Sequence, residues 1–432
     1  MRFALALAFL LGVGALGADA QSVSVSVEAD AFALRSLTVV EVLALAEEAD
    51  TALRAKRAEL SAAEGVRADA SSFLFNNPQA SIERARRSVP EAGMPSERRY
   101  EWSAGISQAL ETAGQPGHRR RAAAATLEAK KAEIEDLRVR ARFEAAALFY
   151  RLLAQQNRLS LDEEALRLFE STALAVSKRK AAGEDTKLDA NIATVEAERA
   201  RNQLAIAREQ LGDIQAGLAA RLQLPAGIVV EAAGQADASR MQWTRQELLA
   251  AAESLPRLGA LAAREGAAAA RLSLEQASVY PDITVGLNVR REGASTARER
   301  LTTLSVSVPL PLFKRNDAGI GLARTELEQA RIERAAETRE AQAQVTTLWT
   351  KFQSLTARVG RLRTSVLPSL RENESLSLKS RRAGQINVLD LIVVSRQTLD
   401  ARRDLLDAEL ELQLTLTALE AAAGWPAERN AP

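Results

Sequence analysis

The second half of the chain repeats the plan of the first about 201 positions later. Ala182-Gly183 recurs as Ala383-Gly384, Leu188-Asp189 as Leu389-Asp390, and Leu224-Pro225 as Trp425-Pro426. Pro78 is matched at nearly the same spacing by Pro281. A unit built twice cannot bury its apolar surface alone, so any fold open to this chain must close one copy against another.

Each copy holds a helix, two strands and a long helical hairpin. Leu37 to Ala70 reads as one helix, because Val39, Val42, Leu43, Ala46, Leu53 and Leu60 recur at helical spacing with no proline between them. Tyr100, Trp102, Ala104 and Ile106 then alternate with Glu101, Ser103, Gly105 and Ser107, the period of a strand with one apolar and one polar face. Gln79 to Val89 is a weaker partner strand. In the second copy Ile283, Val285, Leu287 and Val289 alternate with polar residues, and so do Leu304, Val306, Val308 and Leu310. Strands of about 10 residues are long enough to cross a bilayer when tilted. A soluble sheet packed on helices would show the same alternation. Four strands cannot close a barrel, and an open edge is not tolerated in lipid, so a membrane sheet of this kind requires copies of the chain, three of them giving twelve strands.

The long helices set the scale. His118 to Ala182 contains no proline or glycine, and Leu127, Ile134, Ala141 and Leu148 stand seven apart. At 1.5 Å per residue such a helix spans roughly 95 Å. Its counterpart runs from Ile320 to Ala383, interrupted by Gly360 and Pro368. Each ends in a glycine, Gly183 or Gly384, and returns as a second helix, Lys187 to Leu224 or Val388 to Ala423. With Leu405, Leu412 and Leu419 again seven apart, the hairpins are expected to pack as coiled-coil pairs.

The organisation expected is a signal peptide at 1–20, an N-terminal extension at 21–36, a first repeat at 37–225 with strands near 76–89 and 98–110, a linker at 226–243, a second repeat at 244–426 with strands near 280–290 and 301–313, and a tail at 427–432. Phe3 to Leu16 is apolar and Ala18-Asp19-Ala20 fits a signal-peptidase site. Gln21 to Arg35 alternates Val and Ser without an evident partner and is expected to be a mobile extension. No later segment approaches the roughly 20 apolar residues of a membrane helix.

Composition narrows the chemistry. Lys and Arg total 57 against 56 Asp and Glu, so no basic surplus points to nucleic acid. There is no cysteine and one histidine, His118, which leaves no zinc-type ligand set, no disulfide and no lipid-acceptor thiol. No phosphate loop or nucleophile elbow is present. Neither catalytic residues nor a cofactor is expected. A cytosolic coiled-coil scaffold would explain the helices, but neither the leader nor the interleaved strand pairs.

With the segments Ile106-Ser107-Gln108-Ala109-Leu110 and Pro309-Leu310-Pro311-Leu312-Phe313-Lys314-Arg315-Asn316, this layout resembles the TolC family of outer-membrane efflux channels over nearly the whole mature chain. The Pro-Leu-Pro-Leu-Phe run is similar to the CzcC-type members that serve heavy-metal exporters. The resemblance implies a mainly α fold with a small β part: a homotrimeric twelve-stranded barrel in outer-membrane lipid, continuous with a periplasmic α-helical barrel. It also implies two partners, a periplasmic adaptor and an inner-membrane pump of the resistance-nodulation-division type. Heavy-metal cations are the cargo implied, with multidrug efflux or type I protein secretion as alternatives.

By the same resemblance the adaptor-docking tips are Lys180, Ala182 and Gly183 in one repeat, and Arg381, Arg382, Ala383 and Gly384 in the other. Asp189 and Asp390 fall near the periplasmic entrance, where Arg381 is expected to pair with Asp189 and hold it shut. A plainer reading is open for both acids: Thr186-x-x-Asp189 and Asn387-x-x-Asp390 have the form of helix N-caps.

Overall fold

The computed structural model describes residues 33–91, 94–234, 243–294 and 297–424. The leader at 1–20 and the tail at 427–432 lie outside the described residues.

The chain begins with β1 (Ala33–Leu37), α1 (Val39–Ala49) and α2 (Thr51–Ala70). The single helix expected over this stretch is divided at Asp50, whose backbone leaves the helical region (ψ 117°) so that its carboxylate can accept from Leu53 N at 2.7 Å and cap a new helix. Next come β2 (Gln79–Glu91), β3 (Met94–Leu110), α3 (Gln115–Ala181) and α4 (Lys187–Arg221). At 67 residues, α3 is about 100 Å long. The second repeat is preceded by β4 (Ile228–Ala232) and runs through α5 (Arg245–Ala252), α6 (Pro256–Ala277), β5 (Ile283–Ala294), β6 (Ala297–Ser307), α7 (Asp317–Arg361), α8 (Leu367–Arg382) and α9 (Val388–Ala422).

Three departures from the sequence expectation have physical causes. β1 pairs in parallel with β4, and Leu37 and Val230 are buried with Phe149, Leu152 and Leu218. The end of the supposed partnerless extension is therefore tied down, and part of the supposed linker is a strand. β6 stops at Ser307, not near Phe313, because Pro309 and Pro311 supply no backbone donor to a ladder. Between α7 and α8 the helix is continuous through a π turn, Leu362–Val366, which re-registers the backbone ahead of Pro368 in the first turn of α8.

The core is distributed along the helices. One apolar cluster joins α5, α6, α7 and α9 through residues such as Leu248, Val345, Leu412 and Leu419. A second joins α1, α3, α4 and the β1–β4 pair. A third, containing Phe169, Val176, Ala193, Ala197, Val388 and Ile392, fastens the two hairpins to each other.

The other sheet is antiparallel, ordered β2-β3-β5-β6, so each repeat contributes one hairpin and β3 pairs with β5 across the duplication. Its register sorts the side chains. One face carries the rows Ala80-Ile106-Leu287-Leu304 and Ile82-Ala104-Val289-Thr302; the other carries Ser81-Gly105-Asn288-Thr303 and Gln79-Ser107-Gly286-Ser305. The apolar face is open, with Ile82 85% exposed. The polar face is crowded: a Cβ on Gly105 would lie 2.9 Å from Asn288 Nδ2 and 3.2 Å from the Leu287 carbonyl oxygen. The outer edges of β2 and β6 have no neighbour among the described residues.

Candidate functional site

The long helices α3 and α7 leave one end of this sheet, and the two hairpin turns lie at the far ends of α3 and of α8, which continues α7. Both turns close in the same way. Gly183 has φ +79° and Gly384 φ +71°, a left-handed conformation that glycine adopts without strain. Glu184 N donates to Arg179 O at 2.9 Å and Gly183 N to Lys180 O at 3.0 Å; Gln385 N donates to Ser380 O at 2.9 Å and Gly384 N to Arg381 O at 3.1 Å. These paired bonds form a Schellman motif, which satisfies the carbonyls that end each helix.

The returning helices are capped by the two acids singled out in the sequence. Thr186 N and Oγ1 donate to Asp189 Oδ2 at 3.0 and 2.6 Å, and Asp189 N donates back to Thr186 Oγ1 at 3.1 Å. Asn387 N donates to Asp390 Oδ2, and Asp390 N to Asn387 Oδ1 at 2.9 Å. Both are capping boxes. The Thr186 hydroxyl, then its backbone N–H, holds the Asp189 carboxyl below the usual aspartate value, and the charge of Arg381 adds to this.

Arg381 does not pair with Asp189. Its Nη2 donates to both oxygens of Asp185 at 2.7 Å, and its Nη1 donates to the Ile386 carbonyl at 3.2 Å. Asp185 also accepts from Arg179 Nε at 3.2 Å. With its side chain only 4% exposed, Asp185 is a buried anion held between two guanidinium groups, one from each hairpin. The ion pair expected of Arg381 is made instead with Asp185, four residues nearer the turn than Asp189. Lys180, Ala182, Gly183, Arg382, Ala383 and Gly384 are exposed, and Lys180 and Arg382 make no ion pair among the described residues.

Above the turns, further ion pairs tie the first hairpin to α9. Arg396 grips Glu196 with two bonds of 2.6 and 2.7 Å, and Arg403 Nη2 donates to the buried Asp162 at 2.6 Å. None of these was singled out by the sequence reading. One signal was available: Asp185 maps onto Ile386 and Arg179 onto Ser380 at the 201-residue offset, so the repeats differ where they are linked. Among the described residues no group of histidine, cysteine or acidic side chains could hold a metal ion.

A sheet with one apolar and one polar face, set on hairpins of such length, is a fold shared with solved outer-membrane channels. Residues 235–425 match the family described as outer membrane efflux protein. The chain is 26% identical over 404 residues, 93% of each chain, to the cobalt-zinc-cadmium resistance protein CzcC of Cupriavidus metallidurans. Its fold is similar to that of CusC (TM-score 0.73, 17% identity, covering 90% of this chain and 92% of that one). It is also similar to the outer-membrane channel OprN (TM-score 0.74, 17% identity, 90% of each chain) and to the MtrE outer membrane channel of Neisseria gonorrhoeae in its open state (TM-score 0.72, 18% identity, 89% and 88%). Over nearly its whole length the chain is similar to the outer-membrane efflux channels, which are conduits rather than enzymes. Within them it is similar to the CzcC type.

Proposed function

We propose that this chain is the outer-membrane exit duct of a tripartite efflux system for heavy-metal cations, acting as a homotrimer. The observation that carries this reading is the four-stranded sheet with an apolar outer face and two unpaired edges. Such edges are costly in lipid, and three copies joined β6 to β2 remove all of them by closing twelve strands. From Ile283 to Arg291 the outer face covers about 27 Å along the strand, or roughly 20 Å of height at the usual tilt, comparable with the apolar band of a membrane barrel. The helices then reach about 100 Å away from that band, a length suited to crossing the periplasm.

The glycine turns at their far ends are the sites proposed for a periplasmic adaptor, with Lys180 and Arg382 available for its acidic or carbonyl groups. An inner-membrane resistance-nodulation-division pump would supply the energy, while this chain conducts passively. A cleaved leader without a lipid anchor would deliver it. The latch between Asp185 and Arg381 is proposed to hold the entrance shut at rest, and the cargo is proposed from the similarity to a cobalt-zinc-cadmium resistance protein.

The reading is tested by deleting the gene and measuring tolerance to cobalt, zinc, cadmium, copper and silver. Sensitivity restored by the intact chain is the expected result. Unaltered tolerance, with sensitivity to organic drugs or loss of a secreted protein in its place, would overturn the metal assignment.

A further inference from the structure

The hairpin end of the sheet separates its charges by face. The rows follow from the register: on the apolar face, Arg84, Trp102, Arg291 and Arg300 lie in one row, and Arg86, Tyr100 and Arg298 lie beyond it. On the polar face stand Glu83, Glu101, Glu292 and Glu299, together with Arg87 and Arg290. From Arg86 and Arg298 down to Ile283, every acid of the sheet faces inward and the outer face carries five arginines and no acid.

This arrangement is costly unless something neutralises it. Arg291 and Arg300 are direct cross-strand partners, and like charges in that position destabilise a sheet. All five outer arginines are exposed, and none forms an ion pair among the described residues. Arg84 lies over the Tyr100 ring, 4.9 Å from its centroid. By contrast, Arg87 on the polar face reaches Glu101 at 3.5 Å. One and two rows below the arginines, about 7 Å apart along the strands, are Ile82, Ala104 and Val289, then Ile106, Leu287 and Leu304.

We propose that this outer face binds a phosphorylated glycolipid of the surrounding leaflet, its phosphates between Arg84, Arg291 and Arg300 and its acyl chains along the apolar rows beneath. The proposal rests on the barrel reading above, which places the hairpin ends in the outer leaflet. Guanidinium groups suit it because their planar donors take phosphate oxygens in pairs and they are more weakly hydrated than ammonium. A free phosphate would satisfy the arginines but leave the adjoining apolar rows unused. A mixed belt of snorkelling side chains would not place arginine opposite arginine while sending each glutamate inward.

The test uses the full-length chain purified in detergent and native mass spectrometry to count bound lipid. The probes are diphosphoryl lipid A, the same lipid stripped of its phosphates, and phosphatidylcholine. Expected are a preference of about tenfold or more for the phosphorylated form, its loss in R84Q/R291Q/R300Q, its partial retention in R84K/R291K/R300K, which keep the charge but not the paired donors, and no change in the inward control E83Q/E292Q/E299Q. Equal binding of the stripped lipid, or unchanged binding by the glutamine variant, would overturn the proposal. Displacement of the lipid by millimolar inorganic phosphate would also overturn it, in favour of a free-anion site. Conductance in pure phosphatidylcholine bilayers separates the two readings. A wild-type chain that conducts but shows no phosphate-dependent binding sinks this proposal alone, and one that does not conduct sinks the channel reading.

Discussion

Replacing Asp185 with asparagine keeps the size of the side chain and removes the charge that Arg179 and Arg381 both face. An exposed ion pair is worth about 0 to 1 kcal/mol, and removing one partner of a fully buried pair costs about 3 to 5 kcal/mol. The geometry lies between these limits. Asp185 is almost wholly buried, Arg381 is 16% exposed, and each arginine keeps a second contact after the change: Arg381 with the Ile386 carbonyl, Arg179 with Glu184 at 3.3 Å. A loss of about 2 kcal/mol follows, which at 1.4 kcal/mol per factor of ten shifts the closed-to-open balance of the turns about 30-fold. Single-channel recording in planar bilayers reads that balance as the open fraction. The variants D185N, R381Q and the double form a cycle, in which the double is expected to be little more open than either single because both remove the same bond. An open fraction in D185N equal to wild type, or additive effects in the double, would refute the latch.

Three further outcomes follow from the geometry. Valine at Gly183 or Gly384 meets no atom within 4 Å, so its cost is backbone strain, about 1 to 2 kcal/mol or more for a β-branched residue; crosslinking to the adaptor should be lost while the trimer persists on native gels, and asparagine, which tolerates the left-handed region, should retain it. The lowered Asp189 value means that its cap stabilises α4 fully above the ordinary aspartate range near pH 3.9, and that this contribution disappears as pH falls below it through the depressed folded value; amide exchange at the start of α4 should accelerate there in wild type but show no such step in D189N. Valine at Gly105 drives a side chain against Asn288, Ser81 and the Leu287 carbonyl and should abolish the folded trimer in detergent, whereas valine at the outward Ala104 should not.

Periodic features were readable from the residues, and long-range ones were not. The 67-residue α3 and the separate strands β3 and β5 announce themselves through local spacing, since helix and strand periods are properties of neighbouring side chains, whereas the pairing of β3 with β5 across the repeats does not. Both caps were legible for the same reason, because Thr186-x-x-Asp189 and Asn387-x-x-Asp390 carry donor and acceptor within one turn. The break at Asp50 has that form too, but its single-residue interruption is masked by the apolar run on either side. β1 was missed because its partner β4 is about 190 residues away and parallel pairing leaves no local trace. Arg381 was singled out and given the wrong acid: sequence order favours the conspicuous aspartate at the cap, while the turn brings Asp185, one residue before the cap, closest to the guanidinium.

The divergence of the repeats makes the link between the turns one-sided. Both turns carry a base at the matching position, Lys180 and Arg381, but only the first supplies an acid, Asp185 where the second has Ile386, so the bond across the seam runs from Arg381 to Asp185 and has no counterpart. The second hairpin alone also contains the π turn at Leu362–Val366, none of whose residues is buried, about 20 residues before Gly384. Leu362 packs partly against the core and Arg363 pairs with Glu409, but the other residues of the turn are exposed, and a backbone irregularity held by so few contacts is a low-cost place to bend a long helix. Breaking the bond between Asp185 and Arg381 would therefore free α8 and the turn beyond it, while the first hairpin stays fixed through Asp162 and Glu196 to the upper part of α9. Opening is in this account a movement of one repeat against the other, and proline-free idealisation of 362–368 should suppress it even when Asp185 is removed.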